Sequence, residues 1–328
     1  MLGESAISPM SELLNEDTVL PYLEARGVIQ MGATVEILTG GVSNVVLGIS
    51  DGNRDLVLKQ ALPELKVEGT WRADQRRAIV EANCMKLLHS ITPLNVPELI
   101  DVDPEVFTLV LSRAPRSSTV WKSDLLEGRV DISVAEQLGE ILAKWHNYSV
   151  AHPQVLIDYA EDTLFDQLRI DPFYRAIARV HSQIQPRMTQ LINELEAKKT
   201  HLVHGDFSPK NILVDNHHAI VLDFEVAHTG NPVFDLAFLV AHLLCKSFYR
   251  TEVRNQIASA AQQFLTSYGA TAEVDQLLGW HVAAVALARV DGVSKVHYLD
   301  PTAQSQLRAH TLALLLQESP PTLSELFL

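Results

Sequence analysis

One stretch constrains this chain more than any other: His204 to Glu225, HGDFSPKNILVDNHHAIVLDFE. Two strongly apolar runs, NILV and AIVLDF, are split by polar DNHH, so the stretch reads as a loop feeding two strands joined by a hairpin turn. Asp206 lies on the entering loop, Asn211 at the start of the first strand and Asp223 at the end of the second. Antiparallel pairing sets the start of one strand beside the end of its partner, which places these three side chains within reach of one another. Two carboxylates and an amide carbonyl form a hard-oxygen site suited to Mg²⁺, an ion that keeps waters and prefers phosphate as a co-ligand. A surface hairpin with solvated acids would not explain polar residues gathered at one end of two apolar strands.

The 328 residues are enough for two lobes, and the chain divides by texture. Residues 12–27 read as a short amphipathic helix ending at Gly27. Strand patterns follow over 34–60, with DGN as a turn, then a helix over 73–89 and a strand, VFTLVLS, at 106–112. Beyond that the pattern is mostly helical. SVAEQLGEILAKWHN carries a capping box, Ser133 and Glu136. Asp171 to Lys198 reads as one long helical stretch kinked near Pro186. Further helices are expected near 232–248, 252–268, 272–290 and 301–316. The fold class is α+β: a small antiparallel-sheet lobe over 1–112 and a larger, mainly helical lobe over 113–328.

Charge and cysteine usage remove several function classes. A net charge of −14 argues against binding nucleic acid or anionic lipid. Cys84 and Cys245 cannot build a disulfide framework and read as buried thiols in a reducing compartment. The N-terminus has neither the positive nor the apolar region of a signal peptide, and the longest apolar runs fall well short of the roughly 20 residues of a membrane span. A cytoplasmic chain with no obligate protein partner is expected. GISDG (48–52) matches a hydrolase nucleophile elbow in letters, but it lies between two strands rather than before a helix. No Walker-type phosphate loop is present.

HGDFSPKN followed by LDFE resembles the catalytic and metal-binding segments of the aminoglycoside phosphotransferase/choline kinase family, small-molecule kinases with the bilobal protein-kinase-like fold. The resemblance spans roughly residues 30–300 and is most specific in the catalytic stretch. It implies that Asp206 orients and deprotonates an acceptor hydroxyl, and that Asn211 and Asp223 hold Mg²⁺ on the phosphates of ATP. GNPVFDLAFL (230–239) resembles the next family segment, with Asp235 bracing the catalytic loop. Gly205, Ser208 and Glu225 depart from the protein-kinase pattern and suit small-molecule kinases. His204 is expected to order the loop, and His217 and His218 to be an inert turn tip.

The small lobe should then hold ATP. LTGGVSNVV (38–46) resembles the phosphate-covering loop, with Gly40, Gly41, Ser43 and Asn44 as candidates; a plain structural hairpin is the alternative. Lys59, on the strand face opposite Leu58, is positioned to reach the phosphates, and Glu81 on the following helix is the carboxylate to hold it. TLVLSRAP (108–115) would be the hinge that meets adenine.

The acceptor is less legible. Residues 1–110 carry 8 basic and 16 acidic residues, and the remainder 18 and 24. A site for a polycationic aminoglycoside should be strongly acidic, whereas the large lobe is nearly balanced, which favours a sugar, amino alcohol or similar metabolite. An aminoglycoside- or macrolide-type antibiotic kinase is the alternative, and a kinase-like nucleotide-binding protein without turnover is one of another class. Arg289 and Asp291 either face the acceptor or cap a helix. The sequence leaves open the role of Glu225, ATP against GTP, and the oligomeric state.

Overall fold

The computed structural model describes residues 13–38, 43–64, 74–269 and 272–328, with 272–276 as backbone only. Internal contacts divide the chain into two compact units, Met1–Lys86 with Glu98–Arg113, and Leu87–Pro97 with Ala114–Leu328.

The smaller unit holds helix α1 (Val19–Ala25), strands β1 (Thr34–Ile37), β2 (Asn44–Ser50) and β3 (Asp55–Ala61), the start of helix α2 (Arg77–Ile91), and strands β4 (Leu99–Asp103) and β5 (Thr108–Ser112). The strands form one antiparallel sheet in the order β1-β2-β3-β5-β4. The DGN turn forms as its letters require: Asp51 Oδ1 accepts the Asn53 and Arg54 N–H groups at 3.1 and 2.8 Å, and Gly52 takes φ +83°. Strand alternation sorts the two faces. Leu47, Ile49, Leu56, Leu58 and Val110 form one core with Val19 and Leu23 of α1. Lys59, one residue on from Leu58, points to the opposite face. The first helix is shorter than its sequence pattern. Asn15 accepts the Asp17 and Thr18 N–H groups at 2.9 and 3.1 Å, and this side-chain turn delays helix entry to Val19.

The larger unit opens with β6 (Thr119–Val120) and α3 (Trp121–Leu126). Helices α4 (Ile132–Ala151), α5 (Pro153–Asp158) and α6 (Thr163–Phe165) follow, then a π-helical stretch Asp166–Arg175, α7 (Ala176–Val180) and α8 (Gln185–Ala197). Strands β7 (His201–Val203), β8 (Ile212–Asp215), β9 (His218–Val221) and β10 (His228–Gly230) precede α9 (Val233–Tyr249), α10 (Arg254–Tyr268), α11 (Ala272–Asp291), α12 (Pro301–Leu315) and α13 (Leu323–Leu326). Two sequence expectations are corrected here. The cap of α4 is Asp131, which accepts the Ser133 N–H at 2.9 Å, so the Ser133–Glu136 box does not form. Asp171–Lys198 is not one kinked helix: Pro172 sits inside the π-helical stretch, the chain breaks at His181, and Pro186 opens the new helix α8.

Helix α9 is the centre of this unit, buried from Val233 through Phe248, with α10 and α11 packed on it. Helix α4 packs on α10 so closely that a Cβ on Gly139 would lie 2.4 Å from the Phe264 carbonyl oxygen. Among the described residues, no helix is long and apolar enough to cross a membrane.

Candidate active site

The hairpin forms as the apolar runs predict. β8 and β9 pair from Ile212↔Val221 to Asp215↔His218, and Asn216 and His217 both take positive φ (46° and 69°), the conformation of the tight turns that match strand twist. β6 extends it to three strands. Beneath it, β7 and β10 pair antiparallel, His228 opposite Val203, and clasp the segment between them at its base. Phe207 and Phe224, each beside one of the acids, pack edge-on against Trp145 with ring centroids 6.3 and 5.7 Å away. The indole N–H of Trp145 donates to Thr92 Oγ1 at 2.9 Å. The apolar residues thus pin the backbone while the polar ones emerge at its end.

Asp235, in the first turn of α9 and fully buried, braces the entering loop. Its Oδ2 accepts the His204 N–H at 2.7 Å and its Oδ1 the Gly205 N–H at 2.9 Å. Burial alone would raise this carboxyl, but the His146 bond and nearby imidazole charge hold it below the usual range. Gly205 has φ +75°, and a Cβ there would lie 2.7 Å from the Val226 carbonyl oxygen, so only glycine fits. His204 accepts the Asp206 N–H on Nδ1 at 3.1 Å and lies 3.1 Å from the Leu222 carbonyl through Nε2, tying the loop to the far strand. At the turn tip, His217 bonds Asp131 and His218 the Leu94 carbonyl.

Asp206 is 3 % exposed, and three donors converge on its Oδ2: Arg169 at 3.1 Å, Lys210 at 2.8 Å and Asn211 Nδ2 at 2.9 Å. No donor among the described residues lies on Oδ1. Burial pushes this carboxyl up, but the Arg169 and Lys210 charges outweigh it, so Asp206 is ionised at neutral pH. Asn211 spends its amide N–H on Asp206, which turns its carbonyl oxygen into the free end. Asp223 lies two residues beyond the end of β9, not within it, and takes φ 72°. That backbone costs a non-glycine residue on the order of 1–2 kcal/mol. The Leu222 N–H donates to the backbone carbonyl of Asn211 at 2.8 Å, and the Asp223 charge is felt at Asp206. Asp206, Asn211 and Asp223 are therefore gathered at one end of the hairpin.

In the smaller unit, Lys59 Nζ meets Glu81 Oε1 at 2.5 Å, with the two side chains 13 % and 2 % exposed. Ser43 and Asn44 are buried at the start of β2, Asn44 Nδ2 donating to Ser43 Oγ at 2.9 Å. Gly40 and Gly41 lie outside the described residues. Sequence reasoning missed two arginines. Arg77, fully buried, donates to the Ser43 and Leu62 carbonyls at 2.6 and 2.8 Å and so fixes the entry to β2. Arg169 donates to the Gly205 carbonyl at 2.6 Å as well as pairing with Asp206. Neither sits in a motif, and their partners are mainly distant carbonyls, so no local signal marked them. Asp291, the last residue of α11, pairs with Arg308 of α12 at 2.7 Å and with His181, just past α7, at 2.8 Å.

An antiparallel-sheet unit carrying a lysine–glutamate pair, and a helical unit presenting an aspartate, an asparagine and a second aspartate from a braced hairpin, define a kinase-like phosphotransferase. The model of the Phosphotransferase enzyme family matches residues 34–278, and the chain belongs to that family. A methylthioribose kinase of Bacillus cereus is 26% identical over 281 residues, 74% of this chain and 69% of that protein. One of Exiguobacterium sibiricum is 27% identical over 241 residues, 66% of this chain and 62% of that protein. The fold is that of a solved amicoumacin kinase, in complex with AMP-PNP and Ca²⁺, at a TM-score of 0.58 and 14% identity over 95% of this chain and 97% of that one. The chain is an ATP-dependent small-molecule kinase, a phosphotransferase with an alcohol group as acceptor.

Proposed function

We propose that this enzyme moves the γ-phosphate of ATP to a hydroxyl of a small metabolite of the sugar type, with Asp206 as the group that handles the hydroxyl. The observation that carries this reading is the state of Asp206: buried, ionised and fixed through Oδ2, with Oδ1 left for a hydroxyl. The acceptor oxygen bonds to Pγ, the bond from Pγ to the bridging oxygen breaks, ADP leaves, and the hydroxyl proton passes to Asp206. Phosphoryl transfer asks little covalent help, so most of the contribution of Asp206 is alignment.

Asn211 and Asp223 are assigned to Mg²⁺. Their donor set fits a hard cation, since the Asn211 N–H group is occupied and its carbonyl oxygen is the atom left to bind. An ion held by Asn211 and Asp223 would supply positive charge against the phosphates of ATP. Lys59, held by Glu81, is assigned to the phosphates of ATP, with the backbone around Gly40, Gly41, Ser43 and Asn44 as their cover. The relatives named methylthioribose kinase support including a thiosugar among the acceptors to try. The test is coupled ADP release with Mg²⁺ across sugars, amino alcohols and aminoglycosides. Turnover of a sugar-class compound is expected, and preference for an aminoglycoside would reverse the assignment.

A further inference from the structure

The helical unit contains a second concentration of charge, of the opposite sign to the metal-binding acids. Helix α3 packs against both the single turn Pro209–Asn211 and α9, and α11 packs against α9. These elements carry Lys122 on α3, Lys210 on the turn, His242 and Lys246 one helical turn apart on α9, and Arg289 on α11. Lys246 is 1 % exposed, its one hydrogen bond among the described residues runs to the carbonyl of His242 at 3.3 Å, and its Nζ lies 5.6 Å from the centre of the Tyr298 ring. Arg289 lies over Phe173 at 5.7 Å and donates to Ser294 Oγ at 2.8 Å, while its Nε has no partner among the described residues. Among the described residues, no carboxylate pairs with Lys122, Lys246 or Arg289.

The same neighbourhood holds most of the buried polar atoms that lack a partner among the described residues. They are Trp121 Nε1, Ser208 Oγ, His242 Nε2, Arg289 Nε and the Tyr298 hydroxyl. Trp121, Ser208 and His242 are more than nine-tenths buried. A buried unpaired cation costs several kcal/mol, and an orphaned donor about 1–3 kcal/mol more. Burial, with Lys122 and Arg289 nearby, pushes the Lys246 ammonium down to about 7, and burial with the surrounding cations holds His242 well below its usual value. The carboxylate that reaches Arg289 electrostatically is Asp206, which Arg169 and Lys210 already neutralise. Cys245 supplies no charge, since burial raises its thiol to about 11. A folded chain that keeps these unpartnered donors together, beside Arg289 and Lys122 with no carboxylate paired to them among the described residues, is complementary to an anion.

We propose that the acceptor carries an anionic group, a carboxylate or a phosphate ester, held by Lys246, Arg289 and Lys122 while its hydroxyl lies at Asp206. The inference rests on the kinase reading and narrows it: cationic amino alcohols and aminoglycosides are rejected by charge, and a neutral sugar leaves the cations unpaired.

The experiment has one arm that needs no turnover. Inorganic phosphate and glycerate are each titrated calorimetrically into wild type, Lys246→Met and Lys246→Arg. Binding to wild type and the arginine variant, with a loss of about 10- to 100-fold in the methionine variant, is the expected result for a charge-assisted site. Comparing the two anions separates a carboxylate from a phosphate source. Equal affinity in all three proteins, or no binding to wild type, overturns the proposal whatever the enzyme phosphorylates. The second arm compares coupled ADP release for glycerate with glycerol, ribose 5-phosphate with ribose, and ethanolamine. The anionic member of a pair should be favoured at least about tenfold in kcat/KM, and Arg289→Met should raise the KM for that acceptor by about 10- to 100-fold. Preference for ribose, glycerol or ethanolamine, or an effect confined to the KM for ATP, refutes it. Failure of every acceptor, with no response to MgATP, would count against the kinase reading instead.

Discussion

Asp206 depends on two kinds of neighbour, cations that keep it ionised and a backbone that keeps it still. Asp206→Asn preserves shape and removes the charge, so kcat should fall by about 10²–10⁴ while the KM for ATP stays close to wild type. Steady-state ADP release decides it, and an unchanged kcat would remove Asp206 from the chemistry. Lys59→Ala should raise the KM for ATP and also lower kcat, because its charge matters more as phosphate charge shifts in the transition state. Glu81→Ala should show a milder form of the same defect, since Glu81 holds the lysine at 2.5 Å. A silent Glu81→Ala would assign that role to another acid. The Lys59–Glu81 pair was legible because strand alternation and helix position each leave few choices. Arg77 and Arg169 were not, because an arginine that donates to carbonyls far away in sequence leaves no local pattern.

Among the elements, long apolar or amphipathic segments announced themselves and short ones did not. α4, α9, α10 and α12 lie close to where their periodicity puts them. The hairpin was legible too, but its second strand was carried through Asp223, whereas pairing stops at Val221 and Asp223 turns left-handed. β7 and β10, three residues each, are too short to show a period. They nonetheless carry a titration. Burial pushes His201 of β7 and His228 of β10 from 6.5 down to about 4, so both are neutral in the folded protein. Between pH 6.5 and 4 the unfolded chain binds more protons, so their stabilising contribution is complete above 6.5 and is lost as the pH falls towards 4. Asp206 and Asp235, depressed below 3.8, act only at lower pH. Urea midpoints should therefore decline across pH 6.5 to 4, and His228→Phe, which keeps the stacking on Phe165, should flatten the decline. A wild-type midpoint constant over that window would contradict the assignment.

At the scale of the whole molecule, the family match from residue 34 to 278 covers parts of both units, and the nucleotide reading can be tested without an acceptor. A ligand that binds only the folded state at a hundred times its Kd stabilises by about 2.7 kcal/mol, so MgATP should raise the melting temperature. Asp223→Ala should abolish the Mg²⁺-dependent part of that rise and leave the part due to ATP alone. A full Mg²⁺-dependent rise in this variant would take Asp223 out of the metal site. The β7–β10 clasp has a further consequence, readable by isotope exchange. It closes residues 204–227 into a loop whose two ends are hydrogen-bonded to each other, and Asp235 locks the first of those ends from α9. The amides of His204 and Gly205, bonded to Asp235, and those of Leu202 and Thr229, bonded to Ser149 Oγ and the Tyr159 carbonyl on either side of the clasp, should then trade hydrogen for deuterium together, as one opening unit whose free energy approaches that of global unfolding, while the exposed turn at Asn216 and His217 exchanges freely and early.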